Sequence, residues 1–160
     1  VKDGVELLLY GLDAVVAPPP APGRFRPAGE DDRLLVREWF ASFVNETGTV
    51  AGDTSAAVNR WLANGGLHLW EDGDVVCMAG CVPAVAGVVR IGPVYTPPEA
   101  RGRGYASNCV ATLSQQALDR GARSCMLYTD LANPTSNAIY QRIGYRQVAD
   151  AREVRFSYGV

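Results

Sequence analysis

Apolar residues recur along this chain in two rhythms, and the switches between them lay out its elements. The run Val5-Glu6-Leu7-Leu8-Leu9-Tyr10 is short and almost continuously apolar, as a strand is. Ala17-Pro18-Pro19-Pro20-Ala21-Pro22-Gly23 then forms a polyproline spacer, stiff and extended. Arg24-Phe25-Arg26 reads as a short strand. Glu30 to Asn45 reads as a helix with acidic residues in its first turn and an apolar stripe of Leu34, Leu35, Trp39 and Phe43. Asp53 or Thr54 caps a second helix that runs through Leu62 and stops at Asn64-Gly65-Gly66. Leu67 to Trp70 and Val75 to Met78 flank Glu71-Asp72-Gly73-Asp74, where Asp-Gly signals a hairpin.

A long β-branched strand from Val88 ends near Thr96, and Ser107 to Leu118 returns to helical spacing until Gly121. Ser124 to Thr129 is another apolar strand. Pro134 to Ile143 predicts a short helix with proline at its start and Gly144 as its C-terminal cap. Two closing strands fit Tyr145 to Val148 and Val154 to Ser157. The order predicts a mixed α/β (α+β) domain with a largely antiparallel sheet and one βαβ crossover. We divide the chain into residues 1–22, a strand plus spacer, and 23–160, the main domain. A lone strand ahead of a spacer must add to a sheet in the main body, in an upstream domain, or in a second subunit such as a homodimer partner.

Composition narrows the function classes. Apolar residues make up 48% of the 160 and charged residues 20%, ample for a core. The net charge of −2 removes a global electrostatic case for nucleic acid. No apolar run reaches the roughly 18 to 20 residues of a membrane helix, and no secretion signal opens the chain, which predicts neither membrane insertion nor export. The chain begins at Val1 rather than Met, which leaves residues upstream an open question. Cys77, Cys81, Cys109 and Cys125 read as buried thiols in a reducing, cytoplasmic compartment, and His68 alone cannot complete a zinc site with them. No metal is expected.

The candidate chemistry lies where the long strand meets the next helix. Arg101-Gly102-Arg103-Gly104-Tyr105-Ala106 is a glycine-rich turn opening a helix, which aims unpaired N–H groups and the positive end of the dipole at one point. Such a point binds phosphate, and arginine matches phosphate oxygens bidentately. Pro93 and Pro97-Pro98 cannot donate to a ladder, so a bulge or splay is expected there.

Val94-Tyr95-Thr96-Pro97-Pro98-Glu99-Ala100 and the turn after it resemble the acetyl-CoA-binding segment of the GNAT superfamily of N-acetyltransferases. That family's Gln/Arg-x-x-Gly-x-Gly/Ala pattern is met by Arg101, Gly104 and Ala106. Asn133-Pro134-Thr135-Ser136-Asn137-Ala138-Ile139-Tyr140, followed by Gly144-Tyr145, resembles the family's later motif. The resemblance covers roughly Arg24 to Ser157 and is specific in these two segments. It implies a GNAT-type twisted sheet with splayed central strands, and transfer of an acetyl group from acetyl-CoA to a primary amine in a ternary complex. The pyrophosphate would sit on the amides of Gly102 to Ala106, and the pantetheine arm on free backbone groups at Val94 and Thr96. Asn133 or Asn137 would hydrogen-bond the cofactor, and Tyr140 would sit beside the thioester sulfur.

Two readings stand for Tyr140: a proton donor to the leaving thiolate, or a packing residue of the short helix. Glu99, Asp130 and His68 are weak candidates for a base, and none is assigned. In the family, the helix pair carrying Trp39, Phe40, Phe43 and Glu46 covers the acceptor, whether a small molecule or a peptide amine. Two other readings compete. One is a GNAT-like module that binds acyl-CoA without turnover. The other is a dinucleotide-binding Rossmann unit, which fails at Ser107, where the fingerprint needs a third glycine.

Overall fold

Seven strands form one open sheet in the order β2-β3-β4-β5-β6-β1-β7, and four helices flank it. The strands are β1 (Leu7–Leu12), β2 (Arg24–Pro27), β3 (Leu67–Asp72), β4 (Asp74–Val85), β5 (Val88–Tyr95), β6 (Ser124–Asp130) and β7 (Arg146–Ala151). The helices are α1 (Arg33–Thr47), α2 (Thr54–Asn64), α3 (Tyr105–Asp119) and α4 (Pro134–Arg142). This computed structural model describes residues 7–47, 53–130 and 133–151. The strand expected over Val154 to Ser157 lies outside them, as does the start of the first strand. No helix among the described residues is long and apolar enough to cross a membrane.

All strand pairs are antiparallel except β5 with β6, where α3 makes the crossover that a parallel neighbour requires. With a single parallel pair the sheet is not a doubly wound Rossmann array. The N-terminal strand is an interior one. It pairs with β6 from Leu7↔Asp130 to Leu12↔Cys125 and with β7 from Leu7↔Ala151 to Gly11↔Arg146. Of the three homes open to that strand, it occupies the sheet of its own chain.

Two cores sit on opposite faces. One gathers Tyr10, Val89, Ile91, Cys109, Leu113, Leu127, Ile143 and Tyr145 under α3 and α4. The other packs Val36, Trp39, Phe40 and Val58 of the helix pair on Leu67, Leu69, Met78 and Tyr95. Here the expected stripe on α1 is corrected at one position: Leu34 is 78% exposed, whereas Trp39 is buried, Leu35 and Phe43 pack against the same core, and Val36 and Phe40 are buried with them. Glu30–Asp32 forms a separate 3-10 turn, and the α-helix begins at Arg33. The Asp53 carboxylate caps α2 by accepting from the Ser55 amide at 2.9 Å, as the sequence predicts. Residues 79–87 complete a second hairpin whose tip places Ala86 and Gly87 at φ 53° and 81°.

Candidate active site

The strand β5 carries one extra residue, and the site opens from it. Ala79 pairs with Val94 and Cys81 with Ile91, so Gly92 and Pro93 together face Gly80 alone. Such a bulge bends its strand. On its other side β5 keeps only three partners in β6, from Val88↔Ser124 to Arg90↔Met126. Beyond Arg90 the two parallel strands separate while β5 stays zipped to β4 as far as Tyr95. The β6-facing edge of residues 91–95 is therefore open, which is the splay expected from the prolines.

At the end of that edge comes the glycine-rich turn. Gly102 and Gly104 adopt φ 80° and 84°, a left-handed backbone that side chains rarely tolerate. Gly104 is the N-cap of α3 and offers no side chain to the helix amides. Among the described residues, the backbone N–H groups of Gly102 through Ser107 meet no protein acceptor, whereas the Asn108 N–H bonds Gly104 at 3.1 Å. Six consecutive donors at a helix N-terminus form an anion cradle.

The side chains around the cradle are less available than its backbone. Tyr105 is buried, and its hydroxyl donates to Asp72 Oδ2 at 2.5 Å; that carboxylate raises its pKa. Arg101 donates from Nε to the Thr96 carbonyl at 2.8 Å and pairs with Glu46 Oε1 at 2.7 Å. Its guanidinium carbon also lies 5.8 Å from the Tyr95 ring centroid. The cation expected to meet phosphate thus ties α1 to the end of β5, and the Thr96 carbonyl expected to be free is occupied. Tyr95 is buried against Trp39 at 5.7 Å between ring centroids. Ala106 is half-buried, and Arg103 is exposed beside the Tyr105 hydroxyl.

On α4, Pro134 at the first turn and the Asn133 cap set the helix start; Asn133 Oδ1 accepts from the Ser136 amide at 3.1 Å. Asn137 Oδ1 accepts from the Thr129 hydroxyl at 2.8 Å, and its Nδ2 donates to the Asp130 carbonyl at 3.4 Å. Both asparagines hold α4 against the end of β6. One turn on, Tyr140 is buried among Cys77, Cys109 and Tyr145, with the Tyr145 ring 6.2 Å away edge-on. Burial, reinforced by the two thiols, raises its phenol well above the ordinary value of 10. Every fully buried side-chain oxygen or nitrogen among the described residues has a partner. The Tyr140 hydroxyl has none among them. Cys77 also accepts from the Thr96 hydroxyl at 3.4 Å, which brings Tyr140 and the end of β5 to one sulfur.

Of the weak base candidates, Asp130 ends β6 beside the start of α4, and the other two lie elsewhere. His68 is buried on β3 with its ring stacked 5.0 Å from Phe25, and burial lowers its pKa. It sits two strands from β5. Glu99 is exposed in a 3-10 turn. Sequence reasoning missed the Glu46–Arg101 pair, whose partners are 55 positions apart and meet only once α1 packs on β5. All four cysteines are free thiols. Among the described residues no group of three His, Cys, Asp or Glu side chains could hold a metal.

The fold and site define an α/β domain whose sheet parts beside six unpaired amides at a helix N-terminus, with a buried tyrosine on the helix that follows β6. Residues 32–145 match the acetyltransferase (GNAT) family, and the chain belongs to that family. Among solved structures, a GNAT-family acetyltransferase from Novosphingobium aromaticivorans superposes with a TM-score of 0.66 at 21% identity, covering 89% of this chain and 60% of that one. Another from Clostridium acetobutylicum, solved with acetyl-CoA, gives 0.63 at 19% over 82% and 95%. Aminoglycoside N-acetyltransferase AAC(6')-Iy in complex with CoA gives 0.67 at 18% over 88% and 99%. At these identities the likeness is one of fold. The chain spans 60% of the Novosphingobium protein and 53% of a GNAT acetyltransferase from Colwellia psychrerythraea. No curated protein sequence matches the chain.

Proposed function

We propose that this domain transfers the acetyl group of acetyl-CoA to the primary amine of a small molecule or peptide, by direct attack within a ternary complex. One observation carries the reading: the unpaired amides of Gly102 to Ala106 stand at the end of a β5 edge that is open beyond Arg90. The pyrophosphate binds those amides, and the pantetheine arm lies along Val94, Tyr95 and Thr96 as a surrogate strand. Arg101 acts by fixing that edge, and Arg103 supplies the exposed positive charge. Asn133 and Asn137 bear on the cofactor through the start of α4.

The amine nitrogen attacks the thioester carbonyl, the carbon–sulfur bond breaks, and the sulfur takes a proton. Tyr140 is the donor. Its raised pKa keeps it protonated at neutral pH, and a buried tyrosinate would be costly. The hydroxyl therefore passes its proton to sulfur as the acceptor nitrogen gives one up, so no bare phenolate persists. The four free thiols support a reducing compartment, the cytoplasm.

Thermal shift with acetyl-CoA against NADH, followed by thiol release over an amine panel, tests the reading. Acetyl-CoA alone is expected to raise the melting temperature, and at least one amine to release CoA. Binding without release by any amine would favour a non-catalytic acyl-CoA module. Stabilisation by NADH alone would overturn the proposal.

A further inference from the structure

The segment joining β1 to β2, residues 13–22, touches both halves of the candidate site. The Val16 N–H donates to the Ile143 carbonyl at 2.9 Å, just past α4 and three residues beyond Tyr140. There the strap presses so close that a Cβ on Gly144 would lie 2.7 Å from the Ala14 carbonyl oxygen. The Pro19 carbonyl accepts from Asn108 Nδ2 at 3.0 Å, in the first turn of α3. The Pro22 carbonyl accepts from Trp70 Nε1 at 2.8 Å. The two carbonyl anchors fall at positions 19 and 22, the three-residue period of a polyproline helix, so both face the same side. A rod of that kind advances about 9 Å between successive anchors and resists bending.

Asn108 is where the strap meets the cradle. Its Nδ2 donates both to Pro19 and to the Gly104 carbonyl, at 2.8 Å for the second. Two carbonyl neighbours can only accept, so the amide nitrogen must face them. The Gly104 carbonyl and the Tyr105 N–H belong to one planar peptide unit. Holding the carbonyl inward aims that N–H outward, into the cradle.

We propose that residues 13–22 act as a strut that fixes the spacing between the anion cradle on α3 and Tyr140 on α4, with Asn108 as the positioning residue that orients the cradle amides. This inference rests on the proposed function, since the ligand spanning both points is coenzyme A.

The test compares CoA, which has a pyrophosphate, with S-acetyl-pantetheine, which has none. Asn108→Leu keeps the side chain's bulk and removes both donors. It is expected to weaken CoA about tenfold in Kd while leaving S-acetyl-pantetheine within twofold. A merely structural loss would weaken both alike and would overturn the inference, as would an unchanged CoA affinity. Pro18→Gly combined with Pro20→Gly keeps Asn108 and the Pro19 carbonyl but softens the rod, and is expected to narrow the CoA preference at least threefold. In the unaltered chain, adding CoA should slow hydrogen exchange at the Val16 amide, which is bonded to the Ile143 carbonyl; an unchanged rate there overturns the strut without any variant. Failure of the unaltered chain to bind CoA would instead sink the proposed function itself.

Discussion

Tyr140 and Gly104 divide the proposed chemistry between them, and their replacements should separate cleanly. Tyr140→Phe removes a hydroxyl that meets no described residue, so packing is preserved. Turnover should fall on the order of 10²-fold, the scale of a lost general acid, with the CoA dissociation constant unchanged within twofold. Gly104→Val forces a β-branched residue into φ 84°, costing about 1–3 kcal/mol and turning the cradle amides. Calorimetry should find CoA binding weakened more than tenfold in that variant. Equal losses of binding in both would overturn the assignment of roles. At this scale the sequence revealed residue types better than directions. Arg101 and Gly104 stand in a pattern that names their turn, yet nothing along the chain tells that Arg101 reaches Glu46 rather than a phosphate. Likewise Asn133 and Asn137 mark a helix start, while the Thr129 partner of Asn137 emerges only when α4 docks on β6.

Among the elements, α1 shows where periodicity misleads. A helix assumed to start at Glu30 puts Leu34 on the inner face, but Glu30–Asp32 is a 3-10 turn, and of the expected stripe Leu34 alone faces solvent. Leu34→Ala should therefore change stability by less than about 0.5 kcal/mol. Val36→Ala, at a fully buried position, should cost about 2 kcal/mol and several degrees of melting temperature. The turn itself is held by Asp32, which takes two hydrogen bonds from Arg26 at 2.8 and 2.9 Å and one from the Gly29 amide. The Arg26 hydrogen bond, foremost, lowers the pKa of the Asp32 carboxyl below the ordinary 3.8. A carboxyl depressed in the folded state stabilises above its unfolded pKa and loses that contribution as pH falls through the folded one. Asp32→Asn should accordingly melt earlier than the parent at pH 7, and the gap should narrow as the pH falls below the ordinary carboxylate range and through the lowered pKa of the folded state. The hairpin of β4 and β5 escaped the sequence because Ala86-Gly87 is a weak turn pair. The Asp72-Gly73 tip of its neighbour was legible.

For the molecule as a whole, strand order was the least readable property. Alternation and turn residues predict how many strands there are and which hairpins they form. They do not tell which strand fills the slot between β6 and β7, because that depends on contacts between distant parts of the chain. In the described residues β7 has β1 as its sole strand partner, and β1 bridges it to β6. Native-state hydrogen exchange should therefore find β1 and β7 opening together, with β3 and β4 behaving as a separate unit. Independent exchange of β1 and β7 would count against that coupling.

That slot also dictates a timetable. β1 precedes the other strands of this domain along the chain, yet it is flanked on both sides by strands made from Ser124 onward, so Leu7-Leu8-Leu9-Tyr10 must wait, greasy and unpaired, until β6 and β7 have been synthesised. Ribosome-stalled chains halted before residue 124 should stay sensitive to protease at that opening stretch, and chains released past β7 should not. Of this domain's strands, the earliest translated is thus among the last to find its neighbours.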